Sequence, residues 1–285
     1  MKLAVLSDIH SNYIALEACI DFLEHHKVNQ ILFLGDSISD CPKPQITLNL
    51  LRELDSRYPT FHIRGNREEY FIDHEDGLSD DWSYSSYKGS LLYTYEHLKH
   101  EDITEFRRRP NHAVLKFDGM ADIQLVHGSP HSSRELLKYE GKNTKTYLKQ
   151  MPTDYLLSGH THRQFTYCYR GKTLINPGSV GVAIGMPKAA HFAVLEWKHK
   201  EWQSSLITVP FDYEKVKKFF YESSLMEKAR IWPLCILKSM ETGVNMGPLC
   251  AKTAYDMAVA AKDKMEYGTV PEKYWERAAK RLEVI

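Results

Sequence analysis

The chain has 285 residues, 43% of them hydrophobic and 12% aromatic, and 37 basic side chains balance 37 acidic ones. Zero net charge argues against a nucleic-acid-coating protein, and the apolar content excludes a disordered chain. No apolar run approaches the roughly 20 residues a bilayer span needs, the opening does not read as a signal peptide, and the cysteines are scattered without C-x-x-C spacing, so a cytoplasmic protein with reduced thiols is expected.

Met1 to Leu6 reads as a buried strand. Ser11 or Asn12 can cap the next helix, whose rows Ala15-Cys19-Phe22 and Leu16-Ile20-Leu23 are apolar and whose row Glu17-Asp21-Glu24 is charged. Further strands are expected at Ile31–Leu34, Phe61–Ile63, Ile123–Val126 and Tyr155–Leu157, with helices at Thr47–Arg57, near Ser86–His100 and at Thr144–Gln150. From Phe165 to Val209 strand follows strand, with turns at Arg170-Gly171-Lys172 and Asn176-Pro177-Gly178. This order predicts a layered α/β domain, built on one mixed sheet or two packed sheets. After Phe211 the pattern is helical, broken at Pro233, Gly243, Gly247-Pro248, Gly268 and Pro271. One stripe carries Ala251, Ala254, Tyr255, Ala258, Val259 and Met265, and the segment is expected to be a cap over the α/β domain or a dimerisation element.

Five predicted strands end alike: in Asp8-Ile9-His10, Gly35-Asp36, Arg64-Gly65-Asn66, His127-Gly128 and Gly159-His160-Thr161-His162. Loops at the carboxyl ends of strands are where ligands gather in open α/β folds. In extended chain, residues two apart point the same way, so Asp8 with His10, and His160 with His162, should present paired side chains. The seven side chains Asp8, His10, Asp36, Asn66, His127, His160 and His162 are too many for one tetrahedral ion and suit two ions that share a carboxylate. Mixed imidazole and oxygen donors favour manganese, iron or zinc over magnesium or calcium. Two ions roughly 3.5–4 Å apart are suited to hydrolysing phosphate esters.

These elements, followed by Asn176-Pro177-Gly178-Ser179, resemble the calcineurin-like metallophosphoesterases, in particular a small bacterial phosphodiesterase branch that opens as Ser7-Asp8-Ile9-His10-Ser11-Asn12 does here. The resemblance covers roughly residues 1–210 and implies a two-sheet β-sandwich flanked by helices, with residues 211–285 as a helical extension. It implies that Asp8, His10 and His162 hold a first divalent or mixed-valence metal ion, that Asn66, His127 and His160 hold a second, and that Asp36 bridges them. The tail also resembles that of a streptococcal type of asymmetric diadenosine tetraphosphate hydrolase. The implied partner is a small phosphate ester or nucleotide, with no membrane and no stable nucleic-acid partner.

The superfamily usually places a histidine after the motif asparagine, as the acid that protonates the leaving group. Here Gly65-Asn66 is followed by Arg67, which cannot serve because its pKa lies above about 12. Weakly basic leaving groups, such as nucleotide phosphates from an anhydride, suffer least from this loss. Arg67 can instead clamp a phosphate oxygen, against the alternative of pairing with Glu68 or Glu69. Asn12 can aim its amide at phosphate or merely cap its helix, and His131 is a candidate substitute acid. Seven aromatic residues between Tyr70 and Tyr95 can stack on a nucleobase or simply pack a helix. Arg107-Arg108-Arg109 reads as the basic end of a helix. The reading of another class is a non-catalytic interaction scaffold on the same fold; the complete set of seven side chains speaks for the enzyme.

Overall fold

The computed structural model describes residues 1–79, 81–263, 265 and 269–285. β1 (Lys2–Leu6) alternates between two apolar environments: Leu3 and Val5 face the space between two sheets, while Ala4 and Leu6 face helices outside. β2 (Gln30–Phe33) and β3 (Thr60–His62) extend this sheet in parallel. The second sheet is built from β4 (His112–Leu115), β5 (Ile123–Val126), β6 (Tyr155–Ser158), β7 (Gln164–Tyr169) and β8 (Lys172–Pro177). The long hairpin of β9 (Ala189–Lys198) and β10 (Glu201–Pro210) returns to the first. The strand orders are β10-β9-β1-β2-β3 and β4-β5-β6-β8-β7. Leu3, Val5, Leu32 and Ile63 of one sheet meet Ile123, Leu125, Leu157 and Ile175 of the other, and this apolar seam holds the sandwich.

Helices α1 (Tyr13–Glu24), α2 (Pro44–Arg57), α3 (Asn66–Glu75) and α5 (His100–Arg108) cover the outer face of the first sheet through Leu16, Leu51, Phe71 and Phe106. α6 (Lys142–Gln150) covers the second through Leu148. The chain is thus an α/β two-sheet sandwich flanked by helices, the architecture that the resemblance implies. The helix expected near Ser86–His100 is α4 (Gly89–Glu96), and α5 starts anew at the end of that span, where Asp102 turns back to accept the Lys99 amide at 2.8 Å. α3 and β4 have no counterpart among the expected elements: α3 is highly polar and β4 is a short edge strand.

After Pro210 the chain is helical: α7 (Tyr213–Glu222), α8 (Leu225–Ala229), α9 (Ile231–Thr242), α10 (Met246–Ala260) and α11 (Glu272–Arg281). Pro233 and Pro248 do not break helices; each sits in a first turn, where no amide is needed. Gly268 lies outside the described residues. Ala251, Ala254 and Ala258 pack against Trp275 and Ala278, whereas Val259 is half exposed and Met265 lies beyond the helix end, so the stripe is narrower than its spacing suggests. Val216, Phe220 and Met240 pack on Ile14, Cys41 and Val182, which fastens the tail to the sandwich. Among the described residues no helix is long and apolar enough to cross a membrane.

Candidate metal centre

Parallel pairing brings the carboxyl ends of β1, β2 and β3 to one edge, and those of β5, β6 and β8 to the same edge of the facing sheet. The ladder continues into the loops, where the amides of Asp8, His10 and Ser11 donate to the carbonyls of Gly35, Asp36 and Ser37 at 3.0–3.1 Å. The chain is not extended here. Asp8, His10, Asp36, His160 and His162 all have positive φ, between 49° and 63°. Left-handed backbone in non-glycine residues costs about 1–3 kcal/mol each and clusters at functional sites. Convergence therefore comes from strained turns and not from extended chain: Asp8 and His10 do share a group, whereas His160 and His162 enter different ones.

The Asn176-Pro177-Gly178-Ser179 turn ties these loops together. Asn176 Nδ2 donates to Gly159 O at 2.7 Å, and Ser179 Oγ donates to Asp8 O at 2.7 Å. Two glycines are required by proximity. A Cβ on Gly159 would lie 2.0 Å from Ser7 Oγ, and one on Gly65 would lie 2.2 Å from Asp36 Oδ1.

Two groups of candidate ligands result, Asp8, His10 and His162 in one and Asp36, His127 and His160 in the other, each with its ligand atoms within 4.8 Å of one another. His10 Nε2 and His162 Nε2 are 3.1 Å apart, with Asp8 Oδ1 3.8 and 3.3 Å from them. Asn66 Oδ1 lies 3.1 Å from His127 Nε2 and joins the second group. Asp36 Oδ2 stands between the two, 3.8 Å from His10 Nε2 and 3.4 Å from His127 Nε2.

The other ring nitrogens are tied down. His10 Nδ1 faces Asp40 Oδ2 at 3.1 Å, His127 Nδ1 donates to Leu34 O at 2.7 Å, and His162 Nδ1 donates to Val182 O at 2.8 Å. Such partners fix the tautomer and turn each Nε2 lone pair toward the common space. His160 is tied the other way, through Nε2 to Arg134 O at 3.1 Å. Asp8 Oδ2 accepts from Ser7 Oγ and the His160 amide, but Oδ1 is fully buried and has no hydrogen-bond partner. A buried carboxylate oxygen without a donor, facing converging imidazole nitrogens, fits cations and little else.

Burial alone would lower His10 and His127, but Asp40 and Asp8 hold His10 up at about 9 and Asp36 holds His127 up at about 10. Burial would raise Asp36, and His127 brings it down to about 2. His160 is pushed down to about 4 by burial and by neighbouring His127.

Residues 1–200 match the calcineurin-like phosphoesterase superfamily domain. The chain belongs to that superfamily. An uncharacterised protein of Methanocaldococcus jannaschii is 25% identical over 237 residues, covering 76% of this chain and 92% of its own. A hypothetical protein from Pyrococcus horikoshii has a similar fold, with a TM-score of 0.72 at 20% identity over 85% of this chain and 98% of its own. A metallophosphoesterase from Sphaerobacter thermophilus has a TM-score of 0.65 at 21% identity, over 86% of this chain and 100% of its own. Membership and the two ligand groups support a metal-dependent phosphoesterase.

Against the superfamily pattern, the position after Asn66 is the informative departure. Arg67 pairs with neither Glu68 nor Glu69. Its Nη2 lies 2.9 Å from Asp40 Oδ2, its Nε lies 4.0 Å from Asp36 Oδ2, and that Nε is buried without a hydrogen-bond partner. Glu68 is instead buried and accepts the amides of Asp36, Ser37 and Gly65 at 2.8–2.9 Å, so it holds the Asp36 loop to the start of α3. Asp40, absent from the sequence reading, joins His10, Arg67 and the tail: its Oδ1 accepts from Trp232 Nε1 at 2.8 Å.

Asn12 caps α1 by accepting the Ala15 amide at 3.2 Å, and its Nδ2 donates to Gly181 O at 2.9 Å. His131 is exposed beside Tyr147, and neither ligand group includes it. The aromatic segment divides. Phe71 and Tyr93 are core, Trp82 stacks on His74 at 4.1 Å, and Tyr95 packs beside both rings. Tyr70, Trp82 and Tyr87 also line a cavity of about 530 Å³ with Arg67, Arg134 and the tail's Trp232.

Proposed function

We propose that this chain is a hydrolase that uses two transition-metal ions, manganese, iron or zinc, to cleave phosphodiester or phosphoanhydride bonds, with dinucleoside polyphosphates such as diadenosine tetraphosphate as the substrate class. The observation that carries the reading is Asp36, whose Oδ2 lies within 3.8 Å of a histidine from each group while its Oδ1 accepts the Arg67 amide at 2.8 Å. Asp8, His10 and His162 would hold one ion, and Asn66, His127 and His160 the other, with Asp36 shared. When bound, such a pair lowers the pKa of water and draws charge from the phosphoryl group.

The chain's own residues then set the substrate. Arg67, pinned by Asp40, offers its unpartnered Nε to a non-bridging phosphate oxygen, a charge-assisted bond in a desolvated place. It has no proton to lend a leaving group. The reaction therefore favours leaving groups that are already weak bases, such as a nucleotide phosphate, and the aromatic cavity beside Arg67 suits a nucleobase. We further assign catalysis to residues 1–210 and read residues 211–285 as a cap, since Trp232 reaches both Asp40 and the cavity.

The test is to incubate manganese-loaded protein with diadenosine tetraphosphate and resolve the products, with Asp36→Ala as control. ATP plus AMP, absent with the variant, is the expected outcome. Intact nucleotide with turnover of an activated aryl phosphodiester would overturn the substrate class. No turnover of either would favour the scaffold reading.

A further inference from the structure

A second cavity, of about 440 Å³, opens on the other side of the segment Arg134–Leu136. Arg134 lines the first cavity and holds His160 through its carbonyl, while Leu136 and His160 itself line the second. Both cavities thus share a wall with the metal centre. The second is furnished differently. Tyr139 is held by Phe165 and Tyr167, with ring centroids 5.9 and 5.2 Å away and crossing angles of 85° and 64°. Yet it remains 57% exposed, so an aromatic platform is fixed in place and left open. Lys138 and Arg163 flank it, and among the described residues neither joins an ion pair, unlike Lys88 of the first cavity, which pairs with Asp81. The tail contributes Asn245 here, as it contributes Trp232 to the first cavity.

An open ring platform and two uncommitted cations beside a phosphate-cleaving centre are complementary to a ring-bearing phosphate chain. The geometry points to a second nucleoside subsite at Tyr139, Lys138 and Arg163, which holds the far end of a two-ended dinucleoside polyphosphate while the near end lies in the Arg67 cavity. This subsite rests on the nucleotide-hydrolase reading above, and since the two ends would meet unlike surroundings, a cut away from the middle is expected. Water adds to phosphorus and gives up a proton to solvent as the P–O bond to the leaving nucleotide breaks, and the departing phosphate carries off the electron pair.

The test compares kcat/KM for diadenosine tetraphosphate with that for methyl 4-nitrophenyl phosphate, a diester with one aromatic end, in the manganese-loaded full chain. Tyr139→Ala and Arg163→Ala should each lower the ratio of the two about tenfold, mainly through KM for the dinucleotide. Tyr139→Phe, which keeps the ring, should stay near wild type. Ratios within twofold of wild type in both alanine variants would overturn the second subsite while leaving the hydrolase reading intact. A wild-type protein that cleaves the compact diester but not the dinucleotide would overturn the subsite together with the dinucleotide substrate class, and would leave a phosphodiesterase.

Discussion

Asp40 divides one buried carboxylate among a histidine of the first ligand group, an arginine and a tail indole, and against the pull of burial Arg67, His10 and Trp232 keep it well below the usual carboxylate range. Asp40→Asn keeps the shape but removes the charge. It should weaken manganese binding about 10–100-fold, as loss of such an orienting partner typically does. Calorimetric titration reads this, and unchanged affinity would show that Asp40 is only structural. Arg67→Ala should leave metal content intact and lower kcat/KM about 10–100-fold, the worth of a charged hydrogen bond; wild-type kinetics would remove the clamp. The seven candidate ligands were visible in the sequence because each follows an apolar run, most of them beside a glycine. Asp40 was not, because it sits in a loop where Ser39 and Asp40 both turn left-handed and no periodicity operates. Asn12 takes the capping role that its place before α1 suggested.

Among the elements, α3 positions the centre. Asn66 starts it, and Glu68 accepts the amide of its own cap, Gly65, and stitches it to the Asp36 loop through two more. Removing a buried acceptor from amides strands those donors, so Glu68→Ala should destabilise the fold by about 2–4 kcal/mol. Denaturant unfolding measures this, and a loss below about 0.5 kcal/mol would contradict the role. The parallel strands and α1, α2 and α6 were readable from alternation and helical spacing. α3 was hidden by its polarity, since Asn66-Arg67-Glu68-Glu69 places functional and stitching groups where an amphipathic helix would show a pattern. The left-handed strand ends were equally hidden. They arise from tertiary bonds between loops, which local propensity does not encode.

Across the whole molecule, two sheets bring two groups of histidines and carboxylates together, and the tail lends a residue to each of two cavities. Each proposed ion site contains a histidine whose proton is held by neighbouring carboxylates, His10 up to about 9 and His127 up to about 10. An ion must displace that proton. Below these values each site should lose about tenfold in affinity per pH unit, so manganese binding tightens as pH rises from 6 to 8; an affinity flat over that range would contradict the proton competition. The measurement that bears most directly on the account is anomalous diffraction from manganese-soaked crystals of the full chain. Two peaks roughly 3.5–4 Å apart, one beside Asp8, His10 and His162, one beside Asn66, His127 and His160, with Asp36 reaching both, are predicted. A single peak, or none at saturating manganese and pH 8, would contradict the two-ion centre.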